Sequence, residues 1–282
     1  MAQEFSPIDG FSCAAFAYGG YEYPLYQAGT GPAVVVIHEV PGITPAVIRF
    51  ARYLLKAGFS VYMPCLFGTV GRGYDPANLA TQLARACISK EFAALSRGQS
   101  SPVTDFVRGV CLKAHAEQGG IGVGAIGMCM TGNFALGLMV DPVVMAPVLS
   151  QPSLPIGLAK ARADMHVSKE ELQKIKVRFE NEDVKLLGLR FTHDVACPKA
   201  RFDTMRKEFG DSFEAIEIDS SLGNKNKLPI SAHSVLTKDL VNKAGHPTRN
   251  ALERTITFLH EQLKTGKLPL TLDDAFFDEA TL

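Results

Sequence analysis

Three side chains of suitable chemistry stand far apart in the chain: Cys129, Asp194 and His233. A thiol attacks only as its thiolate, a histidine can take its proton, and a carboxylate fixes the histidine tautomer and stabilises the imidazolium that forms. Cys129 is the apex of Gly127-Met128-Cys129-Met130-Thr131-Gly132, where the apolar run Ile121, Val123, Ala125, Ile126 gives way to helical spacing over Asn133 to Val140. Strand, sharp turn and helix in that order hold the apical side chain above a sheet. Such a turn needs small or backbone-permissive flanks, a need that Gly127 and Gly132 meet. The same stretch also fits a small buried thiol between a strand and a helix, a common place for a free cysteine. Asp194 equally suits a turn residue capping the helix after Pro198, and His233 a solvated loop histidine. What favours chemistry is the set, because all three fall at expected strand ends in the order nucleophile, acid, histidine. His193 is a rival base, but it comes too early for that order.

A regular alternation of elements sets those strand ends. Phe11 to Tyr26 splits at Gly19-Gly20 into two aromatic-rich segments, the pattern of an antiparallel hairpin. Ala33-Val34-Val35-Val36-Ile37 is a run suited to a parallel strand covered on both faces, and its carboxyl end delivers His38-Glu39-Val40-Pro41-Gly42, where open parallel sheets bind ligands. A helix over Pro45 to Ala57, ended by Gly58, leads to a strand at Phe59 to Met63. Residues 64–120 read as a helical insertion: a Gly/Pro loop from Gly68 to Pro76, then helical patterns over Leu79 to Leu95 and Val103 to Ala116. It can wall a pocket or serve as plain crossover packing. Strands at Val143 to Leu149, Val184 to Phe191 and Phe213 to Ile218 alternate with three helices. These run from the capping box Ser168-Lys169-Glu170-Glu171 to Asn181, over Phe202 to Phe209, and over Asn250 to Leu263. The loop from Ser220 to Lys227 leads to His233. Residues 266–282, with Asp273, Asp274, Asp278 and Glu279, read as a loosely docked acidic tail. The whole predicts one α/β domain over residues 1–282, with a mainly parallel sheet, helices on both faces and an N-terminal antiparallel hairpin.

Composition removes several classes of function. Lys+Arg 29 against Asp+Glu 29 leaves no net field to attract nucleic acid or an anionic membrane surface. The six cysteines are spread singly with no CxxC pair, the usage of reduced thiols in a cytoplasmic protein. The start MAQEFSPIDG carries no basic region and no apolar run reaches the length of a membrane span, so neither secretion nor membrane insertion is expected. The expected partner is a small molecule bound by a monomer or small homo-oligomer.

From about Ala33 to Leu263 the chain resembles the dienelactone hydrolases of the α/β-hydrolase superfamily. The likeness lies in Val35-Val36-Ile37-His38-Glu39-Val40-Pro41-Gly42, in Gly127 to Gly132, in Asp194 with Pro198, and in Ala232-His233-Ser234. The elbow cysteine is its most specific sign, since serine holds that place in most of the superfamily. The resemblance implies an α/β-hydrolase fold with Cys129 as nucleophile, His233 as general base and Asp194 as its partner. Glu39 would approach the cysteine and help form the thiolate. The backbone N–H groups of Val40 and Met130 would form the oxyanion hole. The implied substrate is a small lactone or carboxylic ester, cleaved through an acyl-enzyme with no metal or organic cofactor. Arg72, Arg85 and Arg97 are candidates, by location in the insertion only, for the family's carboxylate-binding arginines. Thr131 departs from the glycine expected after Met130 and is expected to crowd the elbow and narrow the acyl pocket. Cys197 stands where the family has an aliphatic residue and reads as a buried spectator.

Other readings stay open at this level. Glu39 could instead pair with Arg49 or Arg52 on the surface. A non-catalytic protein of the same fold, binding a small molecule or partner, would keep Cys129 as a packing or redox-sensitive thiol. A metal site from His38, Glu39 and His193 has suitable ligand types but no ligand spacing within one helix or loop.

Overall fold

The computed structural model describes residues 5–75, 77–82, 102–153, 163–266 and 271–282. Eight strands form one sheet: β1 (Ser12–Tyr18), β2 (Tyr21–Ala28), β3 (Ala33–Ile37), β4 (Ser60–Pro64), β5 (Val123–Met128), β6 (Val144–Ser150), β7 (Leu186–Phe191) and β8 (Phe213–Ile218). Their order across the sheet is β1-β2-β4-β3-β5-β6-β7-β8. The hairpin β1–β2 turns at Gly19 and Gly20, both at positive φ, the backbone that a two-residue turn between twisted strands requires. β2 runs antiparallel to β4, and every later pairing is parallel.

The parallel strands alternate their side chains between two apolar layers, as the two-residue period of a strand dictates. Val34, Val36, Ile126 and Met128 pack on one face with α1 (Pro45–Lys56) and α6 (Pro247–Gln262). Ala33, Val35, Ile37, Val123 and Ala125 pack on the other with α2 (Pro102–Gln118) and α3 (Gly132–Leu138). Two further helices among the described residues, α4 (Lys169–Asn181) and α5 (Lys199–Phe209), cover the β6–β8 side. Ser168 and Glu171 form the expected capping box of α4. The starts of α5 and α6 lie three residues earlier than the apolar spacing predicts. α6 begins at Pro247 behind His246, whose Nδ1 accepts from the Thr248 N–H at 3.3 Å.

The chain from β3 crosses to β4 on one side, while β5 returns to the other side of β3. The carboxyl ends of β3 and β5 therefore flank the switch point, where an open parallel sheet leaves a crevice. Ile37 and Gly127 are paired across it, so Glu39 and Cys129 each follow a paired residue by two positions.

The acidic C-terminal segment is not loosely docked. Phe276 and Phe277 are buried beside Tyr53, and the Arg249 guanidinium lies 3.5 Å from the Phe277 ring centroid. Asn242 Nδ2 donates to the Phe277 carbonyl at 2.7 Å. Two buried aromatic rings outweigh the carboxylates around them. Of the insertion, residues 77–82 are helical, and the rest of the predicted Leu79–Leu95 helix lies outside the described residues. No helix among the described residues is long and apolar enough to cross a membrane.

Candidate active site

β5 ends in a sharp turn in which Cys129 is held at φ 57°, a left-handed backbone that a side chain rarely adopts. The flanking glycines are required by contact. A Cβ on Gly127 would meet the Thr131 carbonyl at 2.3 Å, and one on Gly132 would meet Pro152 Cα at 2.8 Å. Thr131 does not crowd this elbow. It is fully buried beneath it, its Oγ1 lying 2.8 Å from the carbonyls of both Ile37 and Met128 and accepting from the Met128 N–H at 3.0 Å. The hydroxyl thus ties the turn to the end of β3, a task glycine could not perform.

His233, on the loop after β8, places Nδ1 2.6 Å from Asp194 Oδ2, on the loop after β7. Cys129 is the other group whose charge and side-chain hydrogen bond act on the ring. Burial alone would lower the His233 pKa, but the Cys129 thiolate and the Asp194 carboxylate beside it raise it well above 6.5. Asp194 Oδ1 accepts from the Ala196 N–H at 2.9 Å, and the buried Arg190 of β7 grips the same loop through the carbonyls of Thr192 and Cys197. Asp239 accepts from the N–H groups of His233 and Ser234, both at 2.9 Å. Each partner of the imidazole is thereby held from its own side.

Glu39 is 1% exposed, and its partners are not Arg49 or Arg52. Arg49 pairs with Glu279, and Arg52 reaches the Asp9 carbonyl. Glu39 Oε1 accepts from the hydroxyls of Tyr74 and Thr237, and Oε2 from Ser234 Oγ at 2.8 Å and Gln151 Nε2 at 3.1 Å. Gln151 itself sits at φ 36°, with Oε1 accepting from the Val235 N–H at 3.2 Å, which fixes the orientation of its amide. Four uncharged donors from three segments thus close around one carboxylate. The group at the Cys129 sulfur is instead Ser153 Oγ, at 3.0 Å.

The remaining predicted residues are placed as follows. Val40 and Met130 each lie three positions past the paired Ile37 and Gly127 and share one buried cluster with Cys129. Arg72 lies on the loop that carries Tyr74 and pairs with Asp75 at 3.1 Å. Arg85 and Arg97 lie outside the described residues. His38 is fully buried, and burial lowers its pKa to about 4, only partly offset by its bond to the Glu39 carbonyl. Its Nε2 accepts from the Leu66 N–H at 3.0 Å, so both ring nitrogens are committed to the backbone. His193 is partnered by the Thr192 hydroxyl. No cluster of three or more metal-ligating side chains occurs among the described residues. Cys197 is fully buried and its thiol pushed up by burial, as a spectator's should be.

A model of the dienelactone hydrolase family matches residues 20–192. The chain belongs to the dienelactone hydrolase family. Carboxymethylenebutenolidase of Rhodococcus opacus is 28% identical over 116 residues, 41% of this chain and 41% of that protein. The match thus spans about two fifths of that relative's length. Among solved structures, the dienelactone hydrolase of Anabaena variabilis aligns with a TM-score of 0.58 at 13% identity, covering 90% of this chain and 98% of that one. A dienelactone hydrolase-like promiscuous phosphotriesterase from metagenomic libraries aligns with a TM-score of 0.57 at 18% identity, covering 89% and 98%. These two likenesses concern the fold.

Ser153, Gln151, Thr237, Tyr74 and Asp239 were not singled out by sequence. The one available signal was position, since Gln151 and Ser153 follow the end of β6, a neighbour of β5 in a sheet whose strand ends bind ligands.

Proposed function

We propose that the chain hydrolyses small lactones or carboxylic esters through a Cys129-His233-Asp194 triad and an acyl-enzyme. The observation that carries this reading is the imidazole of His233 set between the Cys129 sulfur and the Asp194 carboxylate, 2.6 Å from the latter. The thiolate attacks the carbonyl carbon, a C–S bond forms, and the carbonyl electron pair moves onto oxygen facing the N–H groups of Val40 and Met130. Collapse breaks the ring or ester C–O bond, and the leaving alkoxide takes the proton of the His233 imidazolium. In a lactone that alkoxide stays tethered to the acyl chain. Water then gives a proton to His233 and attacks the thioester, and the sulfur leaves as thiolate.

Glu39 takes a positioning role here. By holding Ser234 and Thr237 it fixes the loop that bears His233. Arg72 is the candidate for a substrate carboxylate, because it shares a short loop with Tyr74, whose hydroxyl reaches Glu39.

Alkylation tests the reading. Burial pushes the Cys65 and Cys111 thiols up to about 11 and about 12 and raises Cys13 and Cys197 as well, whereas Cys129 faces an imidazole. At pH 7 iodoacetamide is expected to label Cys129 at least about tenfold faster than Cys13, Cys65, Cys111 and Cys197. Hydrolysis of a 4-nitrophenyl ester should vanish in step with that label. Activity that persists with Cys129 fully alkylated would exclude the mechanism.

A further inference from the structure

We propose that Ser153 is a further catalytic residue, its hydroxyl donating a hydrogen bond to the Cys129 sulfur and holding the negative charge there before attack. The inference rests on Cys129 being the nucleophile. Ser153 is 1% exposed, and its Oγ lies 3.0 Å from Cys129 Sγ. A buried hydroxyl keeps a partner because leaving it bare is costly, and the sulfur is the partner the described residues give it. A thiolate has no hydrogen to donate, so in the paired state of Cys129 and His233 the hydroxyl must be the donor.

The hydroxyl is aimed by its own backbone. The Ser153 N–H donates to the Cys129 carbonyl at 2.9 Å, and Asn133 Nδ2 donates to the Ser153 carbonyl at 2.8 Å and to the Met130 carbonyl at 3.2 Å. The preceding Pro152 is seated against Gly132, where no Cβ fits, and the buried Arg201 holds the Pro152 carbonyl. Ser153 is therefore part of the elbow as built, although it comes from a different strand end. Its bond to sulfur supplies what the carboxylate of Glu39 does not, since both oxygens of Glu39 are engaged by Tyr74, Thr237, Ser234 and Gln151. After acylation the sulfur carries no negative charge, the bond weakens, and the hydroxyl is free to turn toward the thioester or the incoming water.

Among the described residues, the charged groups at this strand end are His233, from the loop after β8, with Asp194 behind it, and Glu39, two positions past the end of β3. Ser153→Ala leaves all three in place. The rate of Cys129 alkylation by iodoacetamide, followed by mass spectrometry from pH 4 to pH 9, reads the result without any substrate. The half-maximal point in Ser153→Ala is expected to move up by about one pH unit, the size of one charge-assisted hydrogen bond to an ionised group. On the rising limb of the profile this appears as a rate roughly five- to tenfold below that of the parent protein at the same pH. A half-maximal point unchanged to within about 0.3 unit overturns the proposal, whatever the plateau rate at high pH. A shifted profile in a protein that cleaves no lactone or ester would retain the role of Ser153 at the sulfur and remove only the proposed reaction.

Discussion

Replacing His233 with alanine is expected to lower kcat/KM for a small ester or lactone by about 10⁴-fold, or about 5.5 kcal/mol of transition-state stabilisation. Two steps fail together. The thiol loses the base that takes its proton, and the leaving alkoxide loses the acid that returns it. The imidazole is held by Asp194 at 2.6 Å, so Asp194→Asn should also lower activity, through the loss of tautomer control and of the charge that stabilises the imidazolium. The same residue sets a pH dependence of stability. Burial lowers the His233 pKa, but Cys129 and Asp194 raise it well above 6.5 in the folded chain. A histidine whose folded value exceeds its unfolded value contributes stability that is complete below about pH 6.5 and fades as the pH rises through the folded value. Denaturant titrations should therefore find the largest stability deficit of His233→Ala near pH 6 and the smallest in alkaline solution. A deficit that grows with pH would mean that His233 is not held as a cation.

The second large effect belongs to Glu39. Removing its side chain in Glu39→Ala strands four donors, those of the buried Thr237, Ser234 and Gln151 and of the half-buried Tyr74, that now converge on two oxygens. Each unmet buried polar group costs about 1–3 kcal/mol, partly recovered where a hydroxyl turns to another acceptor or a water enters. A net loss of about 3–5 kcal/mol is expected, measurable by urea denaturation. Activity should fall by at least about 10²-fold, with kcat affected more than KM, because Ser234 adjoins His233. Glu39→Gln separates the cage from a role in proton transfer. Its amide nitrogen can occupy the Oε1 position, where the hydroxyls of Tyr74 and Thr237 can rotate to accept, while Gln151 Nε2 still finds an oxygen. This variant should keep kcat/KM within about tenfold of the parent. If Glu39→Gln were instead as inactive as His233→Ala, Glu39 would have to exchange a proton during the reaction.

The parts of this structure that were legible in the sequence are those whose signal is local. Ala33 to Ile37 could only be a strand covered on both faces, and the glycines around Cys129 mark a turn that the contacts of Gly127 and Gly132 now explain. Asp194 and His233 were found through strand ends and chain order, which a parallel sheet converts into proximity. The cage of Glu39 was not legible because its members come from the loop after β4, the end of β6 and the loop after β8, and nothing in any one of these segments points to the others. The part Thr131 plays is hidden in the sequence for a related reason. Beside the glycine it replaces the side chain reads as crowding, whereas its hydroxyl answers to the carbonyls of Ile37 and His38, more than ninety residues earlier. In the C-terminal segment the carboxylates suggest loose docking, but Phe276 and Phe277 determine where it lies.

The central claim is that the acyl group passes through the Cys129 sulfur. A millisecond acid quench of the protein with an activated ester or a small lactone, followed by mass spectrometry of the Cys129 peptide, tests it most directly. The Cys129 peptide is expected to gain the mass of the acyl group less the hydrogen it replaces, accumulating where deacylation is slowed, with no such adduct or turnover in Cys129→Ala. Hydrolysis by Cys129→Ala at the parent rate, or an acyl adduct on another residue while Cys129 remains free, would contradict it.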